Sequence, residues 1–244
     1  MTRLPIALLG VEPDAPFPPA GQALHEPDGL LAAGGDLSPT RLLNAYRHGI
    51  FPWYSAGQPI LWWSPDPRMV FHTDQVRLSS KFRRSLRNCK WLIRADTVFE
   101  EVIAACALAP RPGQDGTWIT SEMLAAYRML HRLGHAHSIE VFAGDVLVGG
   151  IYGLAIGRMF FGESMFSGES GGSKVALAGL AAVLHGWRWP LIDAQVSNAH
   201  LLFMGAQHMP RTQFLASIGP LVRQPEVAAS WTRHFGQIPA SALA

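Results

Sequence analysis

Cysteine is scarce in this chain: among its 244 residues the only two are Cys89 and Cys106. They form neither a C-x-x-C pair nor a zinc-binding pattern, which favours a reduced, cytoplasmic protein. His135 and His137 lack a third ligand nearby in the sequence, so we interpret them as structural and expect no metal ion. We expect no cofactor either.

Charged residues and long apolar runs are also sparse. Only 16% of the residues are charged, against a typical ~25%, and the net charge is +2. Because the apolar fraction is 48%, the chain can form a sizeable core, and any nucleic-acid binding must come from a local basic patch. The short apolar run near the start contains Pro5 and is too short for a signal sequence or a membrane span. We therefore expect no membrane association.

The length fits one large domain, or a small domain followed by a medium one. A proline-dense link at residues 65–67 is the candidate boundary, which predicts domains at 1–67 and 68–244. The pattern predicts a helix over 39–48, a strand meander over 139–142, 146–156 and 159–165, a helix over 173–187 capped by Ser173, and a strand over 191–196.

A cationic segment lies between residues 77 and 90, where Leu78, Phe82 and Leu86 have helical spacing. The pattern predicts a helix with one apolar stripe and a basic remainder. Such a face is often merely solvated, but six cations without an acid among them also suit nucleic-acid phosphates. The six are Arg77, Lys81, Arg83, Arg84, Arg87 and Lys90.

Two polar residues, Asp193 and Gln195, interrupt the apolar strand 191–196. Side chains alternate along a strand, so we expect both on one face, about 6.5 Å apart, with Ile192 on the other. Burying such groups without partners is costly. The pair is therefore either a satisfied buried pair or part of a site. Glu163, in the preceding strand, is either a surface residue or another member of that site.

Several familiar sites are excluded by their motifs. Residues 162–166 lack the second glycine of a nucleophile elbow, and residues 167–174 lack the Gly-Lys-Ser/Thr of a Walker motif. The same loop precedes a helix, as the acetyl-CoA-binding loop of N-acetyltransferases does, but nothing basic opens it. The three tryptophans at 53, 62 and 63 either brace a small core or form a stacking platform.

Six motifs, in order over roughly residues 17 to 215, resemble the bacterial leucyl/phenylalanyl-tRNA–protein transferase family. They are Phe51-Pro52-Trp53, Trp62-Trp63-Ser64-Pro65, Gly116-Thr117-Trp118-Ile119-Thr120, Gly134-His135-Ala136-His137-Ser138, Gly162-Glu163-Ser164-Met165-Phe166-Ser167 and Leu191-Ile192-Asp193-Ala194-Gln195-Val196. The resemblance implies an α+β fold: a small N-terminal domain and a larger N-acetyltransferase-like domain, with a mixed, mostly antiparallel sheet flanked by helices.

The same resemblance implies an activity and its partners. Leu or Phe, and less readily Met, would pass from aminoacyl-tRNA to proteins beginning with Arg or Lys, which marks them for degradation. An aminoacyl ester is already activated, so the reaction needs placement of two substrates rather than a covalent intermediate. We predict that Gln195 accepts a hydrogen bond from the attacking amine, that Asp193 positions it, and that Glu163 holds the cationic acceptor terminus. We expect a monomer.

The remaining site residues follow from the match to the family. Trp53 and Trp118 would stack near the 3′ end of the tRNA, and the cationic helix would meet its phosphates. Since strict alternation places Ile192 and Phe160 opposite the carboxylates, we expect the donor side-chain pocket to open where strands splay or bulge. The wall of this pocket would be Ile151, Phe160, Leu177, Leu180, Leu184 and Ile192.

Two alternatives remain open from the sequence. An acetyl-CoA-dependent N-acyltransferase would share the fold, although the phosphate loop is incomplete. A non-catalytic RNA-binding module would explain the cationic helix and the tryptophans but not Asp193, Gln195 and Glu163.

Overall fold

The computed structural model describes residues 6–109, 119–225 and 230–244. Two β-sheets with helices packed on them make up this part of the chain. Its helices are α1 Pro39–Arg47, α2 Ser80–Leu86, α3 Phe99–Leu108, α4 Ser121–Arg132, α5 Gly172–Gly186, α6 Ala199–Phe203, α7 Arg211–Leu221 and α8 Trp231–Phe235. Its strands are β1 Ala7–Leu9, β2 Leu30–Gly34, β3 Phe51–Pro52, β4 Leu61–Trp63, β5 Arg68–His72, β6 Leu92–Ala95, β7 Ala136–Ala143, β8 Val146–Ile156, β9 Met159–Ser167, β10 Leu191–Gln195, β11 Gln207–Met209 and β12 Ile238–Pro239.

The sheets are mixed, and the expected α+β class is confirmed. The smaller sheet has the order β1-β2-β4-β3, and the larger has the order β11-β5-β10-β9-β8-β7-β6-β12. Every described pair in the larger sheet is antiparallel except β9 with β10. Parallel neighbours need a crossover, and α5 supplies it.

The larger sheet separates two hydrophobic cores. Neighbouring residues of β9 enter opposite cores, because side chains alternate along a strand. Phe161 joins the core that contains Tyr46 and Tyr127, whereas Phe160 joins the core that contains Leu177 of α5. The sequence predicts that Phe160 lies on the sheet face opposite the carboxylates. In the structure Phe160 lies on the other side of the sheet from Tyr46 and Tyr127.

The predicted meander is confirmed by β7, β8 and β9, and the predicted helix 39–48 by α1. α1 begins as its sequence suggests, since the Ser38 hydroxyl accepts the Arg41 N–H and Pro39 occupies the first turn. The predicted strand 191–196 is β10, which ends one residue earlier, at Gln195.

Two helix predictions need correction. The cationic helix is shorter than 77–90: α2 begins after Ser79, whose hydroxyl accepts the Phe82 N–H, and ends at Leu86. Ser173 does not cap α5, because the cap residue is Gly171 with φ 93°. Glycine suits this left-handed conformation, and a Cβ atom at Gly171 would lie 2.5 Å from the Phe82 ring.

The C-terminal tail completes the larger sheet. Ile238 and Pro239 of β12 pair with β6, and Trp231 and Phe235 of α8 are buried. In the part of the chain that the structure describes, no helix combines the length and apolar character needed to cross a membrane.

Candidate functional site

Two β-bulges lie next to each other where β9 and β10 separate. In β9, Ser164 pairs with Tyr152 and Gly162 pairs with Gly153, which leaves Glu163 as the extra residue. In β10, the pairing with β5 skips Ala194 between Asp193 and Gln195. A bulge redirects the side chains around it. The two bulges therefore turn Glu163 and Gln195 toward the same point.

Asp193 is fully buried and forms an ion pair with Arg68 of β5. The guanidinium Nε donates to Asp193 Oδ1 at 2.8 Å, and Nη2 donates to Oδ2 at 2.6 Å. Arg68 also donates to the carbonyl of Gly49 at 3.0 Å. Its guanidinium group lies over the rings of both Phe51 and Phe214. Both carboxylate oxygens are thus engaged in a two-pronged pair, which has the geometry of a strong charge-assisted interaction.

Gln195 is held by its backbone and by its side chain. Its N–H donates to Asp193 Oδ1 at 2.9 Å, and its Nε2 donates to Glu163 Oε1 at 2.7 Å. The residue has φ 61°, in the left-handed region. The bulge at Ala194 interrupts the two-residue period from which we expected Asp193 and Gln195 on one face, so their relative placement comes from the bulge and not from strict alternation.

Glu163 also contacts two tyrosines on helices of the opposite core. Tyr46 Oη lies 2.7 Å from Oε1, and Tyr127 Oη lies 2.8 Å from Oε2. Burial raises the pKa of Glu163 to about 7, although hydrogen bonds from the two hydroxyls act in the opposite direction. Burial also raises the pKa of each tyrosine well above its ordinary value.

A cavity of about 80 Å³ opens at this splay. Three of the residues predicted for the donor pocket, Ile151, Leu177 and Ile192, line it. The other three, Phe160, Leu180 and Leu184, are fully buried in the core and do not line the cavity. The remaining wall comes from Phe71, Gly162, Glu163, Ser164, Met165, Asp193, Ala194 and Leu201.

A second pocket, of about 130 Å³, lies just beyond Gln195 and has indole walls. Trp53 and Trp63 line it together with Val196 and Ser197, and the two indole centroids are 5.7 Å apart. The Trp63 indole N–H donates to the Trp53 carbonyl at 2.6 Å, which fixes the orientation of Trp63. Trp118 lies outside the described residues.

The loop before α5 has already used many of its backbone donors. Gly168 and Glu169 donate to the Val148 carbonyl, Gly172 donates to the Glu169 carbonyl, and the Ser173 N–H donates to the Ser167 hydroxyl. Helix N-termini bind phosphate through free N–H groups. A loop with its donors engaged internally is poorly suited to the pyrophosphate of acetyl-CoA.

The cationic residues predicted to meet phosphates lie on and around α2. All six, from Arg77 to Lys90, are exposed. Arg77 and Arg83 also line a surface pocket of about 370 Å³ between α2, α5 and the C-terminal residues. Among the described residues, no group of three metal-binding side chains is found.

Sequence reasoning missed the partners of the site. Arg68 carried a usable signal, since it is a charged residue opening the apolar strand Arg68-Met69-Val70-Phe71 and could have been matched with Asp193. Tyr46 and Tyr127 carried none, because each occupies an ordinary position in an amphipathic helix. For Trp63 the sequence indicates a place in the tryptophan cluster and in the Trp62-Trp63-Ser64-Pro65 motif, but no role at the site.

Comparisons with known proteins agree with the motifs. The model of the leucyl/phenylalanyl-tRNA protein transferase family matches residues 70–219, and the model of that family's N-terminal domain matches residues 35–66. A leucyl/phenylalanyl-tRNA–protein transferase of Xanthomonas euvesicatoria pv. vesicatoria (strain 85-10) is 70% identical over 97% of this chain and 94% of its own length. The protein of the same name from Xylella fastidiosa (strain M23) is 63% identical over 94% of this chain and 95% of its own length.

Proposed function

This chain belongs to the leucyl/phenylalanyl-tRNA protein transferase family, and we propose that it transfers Leu or Phe, and less readily Met, from aminoacyl-tRNA to proteins beginning with Arg or Lys. The new peptide bond would mark those proteins for degradation. The observation that carries the proposal is the convergence of Gln195, Glu163 and the Arg68–Asp193 pair at the mouth of an apolar cavity.

The chemistry needs placement of an amine against an ester. A free α-amino group has a pKa of about 7.7–8.0, so a useful fraction is neutral near neutral pH. The Gln195 Nε2 is engaged with Glu163, while no hydrogen bond to the Gln195 Oε1 is found within the described residues. That oxygen is our acceptor for the N–H of the attacking amine. A carboxamide is a poor base, so its role is orientation, which contributes the larger part of the rate.

Asp193 then acts through Gln195 rather than on the amine itself. Its two oxygens are occupied by Arg68, and Oδ1 also receives the Gln195 N–H. The ion pair therefore holds the backbone of Gln195 in its left-handed conformation. In this proposal Asp193 is a positioning residue and Gln195 touches the substrate.

The donor side chain occupies the cavity at the splay. Ile151, Leu177 and Ile192 supply apolar contacts, and Leu201 of α6 closes one side. An apolar wall accepts Leu, Phe and Met alike, because a methylene-scale difference changes binding by only about 1–3 kcal/mol. We therefore propose a graded preference among the three donors.

The terminal adenosine of the tRNA occupies the indole-walled pocket. Trp53 and Trp63 line this pocket together with Ser197, which follows Gln195 by two residues. Stacking of a base on indole does not depend on the base sequence. The exposed cations on and around α2 then bind acceptor-stem phosphates. Trp118 remains a proposed member of the adenosine site on the resemblance alone.

The proposal also covers the domain boundary, the fold of the larger domain, the oligomeric state and the cellular location. We place the domain boundary at 67/68, because the described strands of the smaller sheet lie before it and those of the larger sheet lie after it. The larger domain would have the N-acetyltransferase-like fold, and the enzyme would act as a cytoplasmic monomer.

The test is transfer of labelled Phe from Phe-tRNA to a peptide beginning with Arg. We expect labelled product that disappears after ribonuclease treatment and is nearly absent with an Ala-starting peptide. Gln195→Ala should abolish most transfer. Gln207→Ala is the matched control, because it removes an exposed side chain of β11 whose one hydrogen bond among the described residues is to the Gln75 side chain. Acylation of the same peptide by acetyl-CoA, without transfer from tRNA, would refute the proposal.

A further inference from the structure

Three side chains at the site, Tyr46, Tyr127 and Glu163, form a closed ring of three contacts through four oxygen atoms. Tyr46 Oη lies 2.5 Å from Tyr127 Oη, 2.7 Å separates Tyr46 Oη from Glu163 Oε1, and 2.8 Å separates Tyr127 Oη from Glu163 Oε2. Both tyrosines are fully buried, so water cannot replace a missing partner at their hydroxyls. All three contacts lie within hydrogen-bond distance.

Counting hydrogens decides the charge of the carboxyl group. A hydroxyl offers one hydrogen, and an ionised carboxylate offers none. With Glu163 ionised, two hydrogens must serve the three contacts, and one pair of oxygens is left in close contact without a hydrogen. With Glu163 protonated, three hydrogens serve three contacts, and each group donates once and accepts once around the ring.

Gln195 determines which carboxyl oxygen holds the hydrogen. Glu163 Oε1 already accepts from the Gln195 amide at 2.7 Å and lies next to Tyr46. In the protonated form the hydrogen therefore sits on Oε2, which donates to Tyr127, whereas an ionised Glu163 accepts from Tyr127 at this oxygen. Tyr127 donates to Tyr46, and Tyr46 donates to Oε1, so all donors point the same way around the ring.

We propose that Glu163 is protonated in the resting enzyme, and that binding of the cationic side chain of the acceptor protein expels this proton to bulk water. The second half of this proposal rests on the proposed function, since it takes the acceptor to begin with Arg or Lys. The exchange balances in charge: a neutral carboxylic acid and a free cation become an ion pair and one proton released to solvent.

The charges around Glu163 favour the neutral form. Among the described residues, the titratable groups that act on Glu163 are Tyr46 of α1, Tyr127 of α4 and Asp193 of β10. Tyr152 of β8 acts on the two tyrosines, and Arg68 of β5 is paired with Asp193. The only cation of this set is already paired with Asp193. Burial raises the pKa of Glu163 to about 7, and the tyrosine pKa values, raised well above 10, keep both hydroxyls protonated.

The consequence is acceptor binding that weakens in acid. If only the ionised carboxylate holds the cation, the apparent affinity falls with the ionised fraction. For a pKa of about 7, the ionisation of Glu163 alone should raise the acceptor KM about tenfold from about pH 8 to about pH 6, apart from any change due to the acceptor's α-amino group. The donor side chain occupies the cavity that Glu163 also lines, but it is apolar and forms no ion pair with the carboxylate, so the KM for aminoacyl-tRNA should show no matching change.

The direct test is a carbon-13 NMR titration of the enzyme labelled at the glutamate side-chain carboxyl. The resonance lost in Glu163→Gln should titrate near pH 7 in the free enzyme and move to lower pH when an Arg-starting peptide is added. Glu140→Gln is the matched control, because Glu140 is a buried glutamate whose pKa burial likewise raises to about 7. Its resonance should not respond to the peptide.

The outcomes separate this inference from the proposed function. A Glu163 titration near the ordinary value of about 4.3, or one near 7 that the bound Arg-starting peptide leaves unchanged, would overturn the inference even if transfer is observed. Absence of transfer would refute the proposed function, yet the titration of the free enzyme would still decide whether the ring carries the proton.

Discussion

Removing the carboxylate of Asp193 should both inactivate and destabilise the protein. In Asp193→Ala the guanidinium of Arg68 stays buried, 1% exposed, with the Gly49 carbonyl as its one remaining hydrogen-bond partner among the described residues. Leaving a buried charge uncompensated costs about 3–5 kcal/mol. In a protein of this size, about 2–4 °C of melting temperature accompanies each kcal/mol, so the midpoint should fall by about 6–20 °C.

The assay is thermal unfolding of Asp193→Ala, Arg68→Met and the double variant, with transfer measured at a temperature where all are folded. The double variant should be more stable than the sum of the single changes predicts, because no charge is left unpaired. Glu100→Ala is the control: it breaks the exposed pair with Arg128 and should cost no more than about 1 kcal/mol. A melting point for Asp193→Ala within about 2 °C of the parent, or additive effects in the double variant, would refute the reasoning.

Three further predictions concern pH, salt and the cavity. Burial raises the pKa of Glu140 to about 7, so this residue stabilises the fold in its protonated form. Its contribution to the free energy of unfolding should fall as the pH rises from about 4.5 to about 7 and stay constant above that. In urea titrations, Glu140→Gln should reduce this fall. Binding of tRNA should weaken by about a thousandfold between about 50 and 200 mM salt if all six cations on and around α2 bind phosphates. Arg84→Ala should lower the slope of log affinity against log salt by about one unit. An affinity that does not change with salt would remove these six cations from the proposal. Leu177→Trp should fill the cavity of about 80 Å³ and reduce Phe transfer more than Leu transfer; equal rates for both donors would place the pocket elsewhere.

Much of the fold could be predicted because its signals are local. The β7–β9 meander alternates turns with apolar runs, and α1 carries a serine cap and a first-turn proline, so each could be located from neighbouring residues. Membership of the transferase family, predicted from six motifs, is confirmed by the match at residues 70–219. The start of α2 has a local signal in the Ser79 cap, whereas the cap of α5 at Gly171 lies against Phe82, a residue distant in the sequence, and could not be predicted from local pattern.

The candidate site was predictable only in its outline. Asp193, Gln195 and Glu163 were conspicuous as polar residues in apolar strands, which is a property of the sequence alone. Their geometry was not, because a β-bulge changes the face that a side chain occupies without leaving a clear mark in composition. The predicted donor pocket is also found only in part. Ile151, Leu177 and Ile192 line the cavity, whereas Phe160, Leu180 and Leu184 are buried in the core and do not line it.

The sequence by itself determined the family, the order of the elements and the polar residues that need partners. Only the tertiary structure decided what those partners are. Arg68 lies 125 residues from Asp193, and Tyr46 lies 117 residues from Glu163. Local patterns reach across a helical turn or a strand period, whereas these contacts form only after the sheet has assembled and its two bulges have turned Glu163 and Gln195 together.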